Sequence, residues 1–320
     1  MENPDLINPS VSLKILSESE LDQIYEAALT VLEKTGFKMT HPTAVALCKK
    51  AGCKINGDRI RVPREVIEQC LKTAPKGFTV YDRLGNPALD LSGRNSYYGC
   101  STGSPHTLDA ETGEIRATTY RDLEIGAHLS DGLPNIDWVM PFGTTQDTTR
   151  EASFLYDFEA CVKNTTLPVM FLSESVNDSR YIQEMAAACV GGKDRLREKP
   201  FLMAYPEPIT PLFYPDEVVN RAFVAADFGI PQCPGTSQLM GATSPVTLAG
   251  GVVLWLSEAL MSLTVLQLYK PGAQVFLSGN FGMFDMKTSV STIASPEISM
   301  PSFAQANKPN IQRANQNPLP

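Results

Sequence analysis

The sequence predicts an α/β protein: a (β/α)8 TIM-type barrel, incomplete in this chain, behind an N-terminal helical and β-hairpin cap region. Three observations predict it. From Tyr120 onward, continuous apolar runs of strand length alternate with helical stretches, as a parallel sheet covered on both faces requires. Each strand-plus-helix unit takes roughly 30–40 residues, a spacing that suits a barrel. No G-x-G-x-x-G follows the first strand, so the doubly wound dinucleotide fold loses its strongest signature. A closed barrel needs about eight strands, and this chain supplies five by this reading.

Taken in order, residues 1–16 read as a loose arm. Ser17 to Glu20 opens a helix whose apolar face carries Leu21, Ile24, Ala28, Val31 and Leu32 at helical spacing, with Gly36 as its stop. A second helix follows His41-Pro42, over about 43–51. In CKINGDRIRVP, Asn56-Gly57 lies between short β-type runs and signals a hairpin. Pro63 starts a third helix, Arg64 to Thr73. Residues 77–118 then read as antiparallel strands, FTVYD, PALDL, NSYYGCSTG and HTLDAETGEIRATT, with a turn at 109–113. Residues 1–118 are therefore expected to form a helix and hairpin cap region, and 119–299 a partial barrel.

In the second region the expected strands are 136–142, 167–173, 200–208, 230–235 and 273–282. Between them fall helices over 148–163, 178–190 and 216–227. The longest apolar run is 246–268, in which Glu258 is the only charge. Ser244-Pro245 reads as its start, because serine caps free N–H groups and proline tolerates the first helical position. Thr236, Ser237, Gln238, Gly241 and Thr243 read as a polar loop leading into it. About 20 apolar residues suffice to cross a bilayer. Ser257, Glu258, Ser262 and the Gly250-Gly251 pair argue instead for a helix buried in protein. Residues 300–320 are rich in Pro, Asn and Gln without periodicity, so a disordered tail is expected there. It reads either as a natural floppy terminus or, because the strand pattern stops abruptly, as a non-family end on a chain cut short.

Composition narrows the function. The 320 residues carry a net charge of −8, which disfavours nucleic acid and anionic membrane as partners. The opening twenty residues lack the basic start and apolar core of a secretory signal, and the seven cysteines form no C-x-x-C pair. Reduced thiols in a cytoplasmic protein are expected. Three scattered histidines offer no zinc spacing, so no metal site is expected.

Among motifs, Gly99-Cys100-Ser101-Thr102-Gly103 matches the G-x-S-x-G nucleophile elbow. It is followed by a hairpin rather than a helix, and no histidine lies beyond His128, so a hydrolase is disfavoured. Barrel active sites lie at the carboxyl ends of strands. Tyr205 and Glu207 in YPEP sit at such an end, as do Phe142-Gly143, Ser173, Gln238 and the 278–281 run. These ends offer aromatics, hydroxyls and amides but few acid–base groups, which suits holding a small cationic or polar substrate. The competing reading of each is a residue that only shapes the mouth. Cys233 has nothing basic near it in sequence and reads as a buried small hydrophobe.

Three stretches together are more specific: VPREVIEQCLKTAPKGFTVYDRLGNPALDL (62–91), MAYPEPITPL (203–212) and GATSPVTLAGGVVLWLSEAL (241–260), followed by PGAQVFLSG and ASPEIS. They resemble the trimethylamine methyltransferase family, the corrinoid-dependent methylamine and betaine demethylating enzymes, over about residues 10–299. The resemblance implies a (β/α) barrel that continues past this point. It implies methyl transfer from a methylated amine, trimethylamine or a quaternary amine such as glycine betaine, to the cobalamin of a separate corrinoid protein. In archaeal relatives a pyrrolysine lies in the later portion, and no such position occurs here. The expected substrate-binding residues are Tyr98, Tyr205 and Phe281 as aromatic faces, with Glu207 and Gln238; the catalytic residues stay open. A homo-oligomer is compatible. Two other readings remain, a truncated inactive product and a non-catalytic binder of small quaternary cations.

Overall fold

The computed structural model describes residues 15–92, 95–100, 103–292 and 298. The expected tail at 300–320 and Ser101 of the elbow motif lie outside the described residues, as does most of the arm at 1–16. In chain order the elements are α1 (Glu18–Thr30), β1 (Phe37–Lys38), α2 (Pro42–Lys50), β2 (Lys54–Asn56), β3 (Arg59–Arg61), α3 (Arg64–Thr73), β4 (Thr79–Tyr81) and β5 (Pro87–Asp90). Then come β6 (His106–Leu108), β7 (Ile115–Ala117), α4 (Tyr120–Asp131), α5 (Ser153–Asn164), β8 (Val169–Phe171), α6 (Val176–Val190), α7 (Lys193–Glu198) and β9 (Leu202–Ala204). The chain continues through α8 (Asp216–Phe228), β10 (Thr236–Met240), α9 (Leu248–Tyr269), β11 (Gly279–Asp285) and β12 (Val290–Thr292).

Local chemistry sets most boundaries. Ser17, Thr119 and Ser175 each accept from the backbone three residues on, while Glu20, Asp122 and Asp178 return a bond to the cap, closing three capping boxes. Gly57 takes φ +62 at the corner of the β2–β3 hairpin, where a side chain would strain the turn. A single π turn, Val31–Thr35, carries α1 to Gly36.

The parallel segments pair in chain order. Gly99 bridges Trp138, Val139 bridges Val169, β8 pairs with β9, Ala204 bridges Gln232, Gln232 bridges Val275, and β10 pairs with β11. These links are small sheets joined by single bridges rather than one continuous wall. The alternation of strand side chains gives the arc two faces. Val139, Val169, Phe171, Leu202 and Ala204 pack outward with Phe158, Ile182, Ala225 and other helix residues. Met140, Met170, Met203 and Cys233 point the other way, against Val80 and Leu89 of the β4–β5 hairpin. That hairpin closes the amino ends of the strands: Tyr81 N–H donates to Pro200 O at 2.9 Å and Arg83 N–H to Thr166 O at 2.8 Å.

Three expectations change. The stretch 95–103 was expected as an antiparallel strand of the cap, but Gly99 and Ser104 pair in parallel with Trp138 and Gly143. Thr236–Met240 is a strand, not a loop. Burial alternates along it: Thr236, Gln238 and Met240 are buried, Ser237 is exposed and Leu239 is half-buried. The long helix begins at Leu248, with Thr247 accepting from Gly250 N–H, not at Ser244-Pro245. The Ser244 backbone is used in a turn: its N–H donates to Leu239 O at 3.1 Å and its O accepts from Gly241 N–H at 3.0 Å.

By length and composition α9 is able to cross a membrane, yet 78% of its most apolar window is buried inside the molecule. It is apolar on all sides because it is covered on all sides. Residues of α1, α2 and α3, among them Ala28, Ala44 and Ile67, share one core with Leu256, Leu260 and Leu263 of α9.

Candidate functional site

A cavity of about 750 Å³ opens at the carboxyl ends of the parallel segments. Three strand ends build its wall: Thr144 and Thr145 beyond Val139, Leu172 to Glu174 beyond β8, and Tyr205 with Glu207 beyond β9. Phe154 of α5 and Arg221 of α8 complete it from the helix layer. Gln146, Arg150 and Glu174 are exposed at the rim, so the cavity is open to a group arriving from solvent.

Two of the five expected residues meet here. Tyr205 packs against Gly235, where an added Cβ would lie 2.1 Å from the ring and hydroxyl; glycine is what lets the tyrosine reach this position. Burial pushes the Tyr205 phenol well above its usual value, and the nearby Cys233 and Glu207 push the same way. The ring therefore stays neutral, with an electron-rich face and a hydroxyl donor. Glu207 accepts from Ser237 Oγ at 2.6 Å, which orients its carboxylate. Cys233 lies beneath, buried, its thiol pushed up to about 12 by burial, and so is an inert packing residue as expected.

The other three lie elsewhere. Gln238 is turned to the opposite side of β10, where its Nε2 donates to Glu258 Oε2 at 2.5 Å. Phe281, its partner in register on β11, is buried in the core with Trp255 and Leu256. Both follow the two-residue period, which sends alternate side chains away from the opening. Tyr98 is 70% exposed and does not line the cavity; its N–H donates to the Asp137 carboxylate at 2.7 Å.

Sequence reasoning missed Arg221. It is the one basic residue in DEVVNRAFVAADF, set among apolar neighbours, and that placement was the available signal. One guanidinium nitrogen donates to Ser173 O. Its Nε is buried without a partner. Burial lowers its pKa, and Glu217, Tyr214, Glu207 and Asp178 only partly counter this. Among the described residues no His, Cys, Asp and Glu cluster has the makings of a metal site.

Such a wall, with two neutral rings, an oriented carboxylate, several hydroxyls and a half-buried cation, can hold a small charged molecule without supplying an activated nucleophile. In fold, the chain resembles the hydroxylamine complex of MtmB, with TM-score 0.53 at 10% identity over 90% of this chain and 62% of that one. It resembles the Methanosarcina barkeri monomethylamine methyltransferase MtmB equally, with TM-score 0.52 at 10% identity and the same coverage. In sequence it is 28% identical over 292 residues to a glycine betaine methyltransferase of Desulfitobacterium hafniense strain Y51, covering 89% of this chain and 60% of that protein. It is 28% identical over 290 residues to the trimethylamine methyltransferase MttB of D. hafniense strain DSM 10664 / DCB-2, covering 89% and 58%. The Methanosarcina barkeri MttB matches at 25% identity, covering 92% and 61%. The chain thus spans about 60% of the length of the curated relatives it matches. The trimethylamine methyltransferase (MTTB) family pattern matches residues 1–308, a span that enters the 300–320 segment expected to lie outside the family. On that match, the chain belongs to the trimethylamine methyltransferase family.

Proposed function

We propose that this protein transfers a methyl group from a methylated amine to a corrinoid carried by a separate protein. The observation that carries the reading is the convergence of Tyr205 and Glu207 on one open cavity at the carboxyl ends of the parallel segments. A methylated ammonium is a diffuse cation, attracted to an aromatic face and to carboxylates. Tyr205 and Phe154 supply faces, and Glu207 and Glu174 supply charge. The in-order parallel arc with one side-chain face inward and one outward supports a barrel wall of the (β/α)8 type, with residues 1–118 as its cap region and 119–299 as the barrel portion. The seven free cysteines support a cytoplasmic setting.

The corrinoid, when bound at the mouth, supplies the nucleophile that accepts the methyl group. The exposed rim at Gln146, Arg150 and Glu174 fits such an approach. The residues of this chain bind the ammonium head and fix its orientation, so that one methyl group faces the opening. As the carbon–nitrogen bond breaks, its electron pair stays on nitrogen, and a quaternary ammonium leaves as a neutral tertiary amine. No proton needs to move in that step, which agrees with a cavity poor in acid–base groups.

The test is methyl transfer to purified corrinoid proteins, followed by the cobalamin absorbance spectrum, across trimethylamine and several betaines. At least one methylated amine should serve as donor. Absence of transfer with every amine and every partner tried would reject the reading.

A further inference from the structure

Arg221 is the residue of the cavity that methylammonium binding leaves unexplained. A cation at a site for a cation is unfavourable unless it has work of its own. Among the described residues no carboxylate lies within ion-pair distance of its guanidinium, although Glu207, Glu217 and Asp178 influence it from farther away. Its one hydrogen bond runs to the Ser173 carbonyl, and its Nε is shielded from water with nothing to donate to. A half-buried guanidinium in that state loses part of its hydration for a single protein hydrogen bond. Its planar array of N–H donors matches a carboxylate, which takes two parallel bonds. Arg221 lines the same cavity as Tyr205 and Glu207.

Resting on the methylated-amine reading, we propose that Arg221 is a specificity-determining anchor for an anionic group on the substrate, so that the cavity selects a methylated ammonium bearing a carboxylate over a simple methylamine. The ammonium end lies toward Tyr205 and Glu207 and the carboxylate end toward Arg221. One molecule then answers both charges of the cavity. The polarity also orients the substrate, because reversing it would set carboxylate against Glu207 and ammonium against Arg221.

The experiment titrates the full-length protein calorimetrically with glycine betaine and with its methyl ester, which keeps the trimethylammonium and removes the anion. Wild type should bind betaine at least about tenfold more tightly than the ester, the scale of a charge-assisted pair. Arg221→Gln should narrow that gap to about threefold or less by weakening betaine, and Arg221→Lys should retain part of it. Equal binding of betaine and ester by wild type overturns the proposal, and this comparison needs no variant to fold. An equal weakening of both ligands in Arg221→Gln also overturns it, since that is what loss of the Ser173 tie alone would do. Transfer from trimethylamine without any preference for betaine would overturn this proposal and leave the methyltransferase reading standing. Failure of every methylated ammonium to bind or to donate would remove both.

Discussion

Asp157 of α5 is almost wholly buried, and Thr145 N–H donates to its Oδ1 at 3.1 Å. Burial raises its pKa to about 6, and the Thr145 bonds only partly offset this. A carboxyl raised in the folded state stabilises the fold most when protonated. Its contribution is complete below about pH 4 and is lost as pH rises through 6. Asp157→Asn, which keeps the acceptor for Thr145, should therefore match wild type at pH 4. At pH 8 it should exceed wild type by about 2–3 kcal/mol, the scale of a shift of this size. Thermal melts across that range check it; a variant less stable than wild type at pH 8 would show that the charge is compensated. The site residues were unequally legible for reasons that also operate side chain by side chain. Tyr205 and Glu207 could be read because they end a strand, where openings form. Gln238 and Phe281 also lie on strands near that end, but the pleat turns them to the far side. Arg221 could not be assigned from sequence, because its position depends on how α8 packs beside the opening.

Glu258 shows how one element fixes another. It is fully buried midway along α9, and it accepts from Leu212 N–H at 2.7 Å, Thr210 Oγ at 2.9 Å and Gln238 Nε2 at 2.5 Å. Burial raises its pKa while those three bonds hold it back. The helix is thereby tied to the segment that leaves β9 with Tyr205 and Glu207, and to β10. Glu258→Ala strands those donors in the core and should cost about 2–4 kcal/mol in a denaturant titration. Glu258→Gln should cost about 1 kcal/mol, because Gln238 can rotate its amide and present the Oε1 that now lacks a partner. Equal losses in the two variants would contradict this account of the network. Helices were the most readable elements: α3 matches its expected span, and α6 and α8 differ by a residue or two at their ends. Short strands were harder, since β10 carries threonine, serine and glutamine and reads as a loop until its parallel pairing with β11 is known. The start of α9 was misplaced for a similar reason. Ser244 has the chemistry of a cap, but its backbone is already committed to the turn against Leu239.

Across the molecule, chain order and spatial order coincide in the parallel segments, and the strand-end side chains of the cavity wall follow from that order. The β4–β5 hairpin seals the amino ends, the methionine layer fills the middle, and the carboxyl ends are left for binding. The long apolar helix belongs to this plan as the core shared with α1 to α3, which is why it is long and apolar enough to cross a membrane while its surface is covered. The central claim is that a methylated ammonium sits at the carboxyl ends of β8 and β9. A crystal structure of the protein with a quaternary amine bound tests it most directly. The account predicts N-methyl carbons within about 6 Å of the Tyr205 ring centre, the reach of a cation–π contact. Ligand density away from Tyr205 and Glu207 would contradict it.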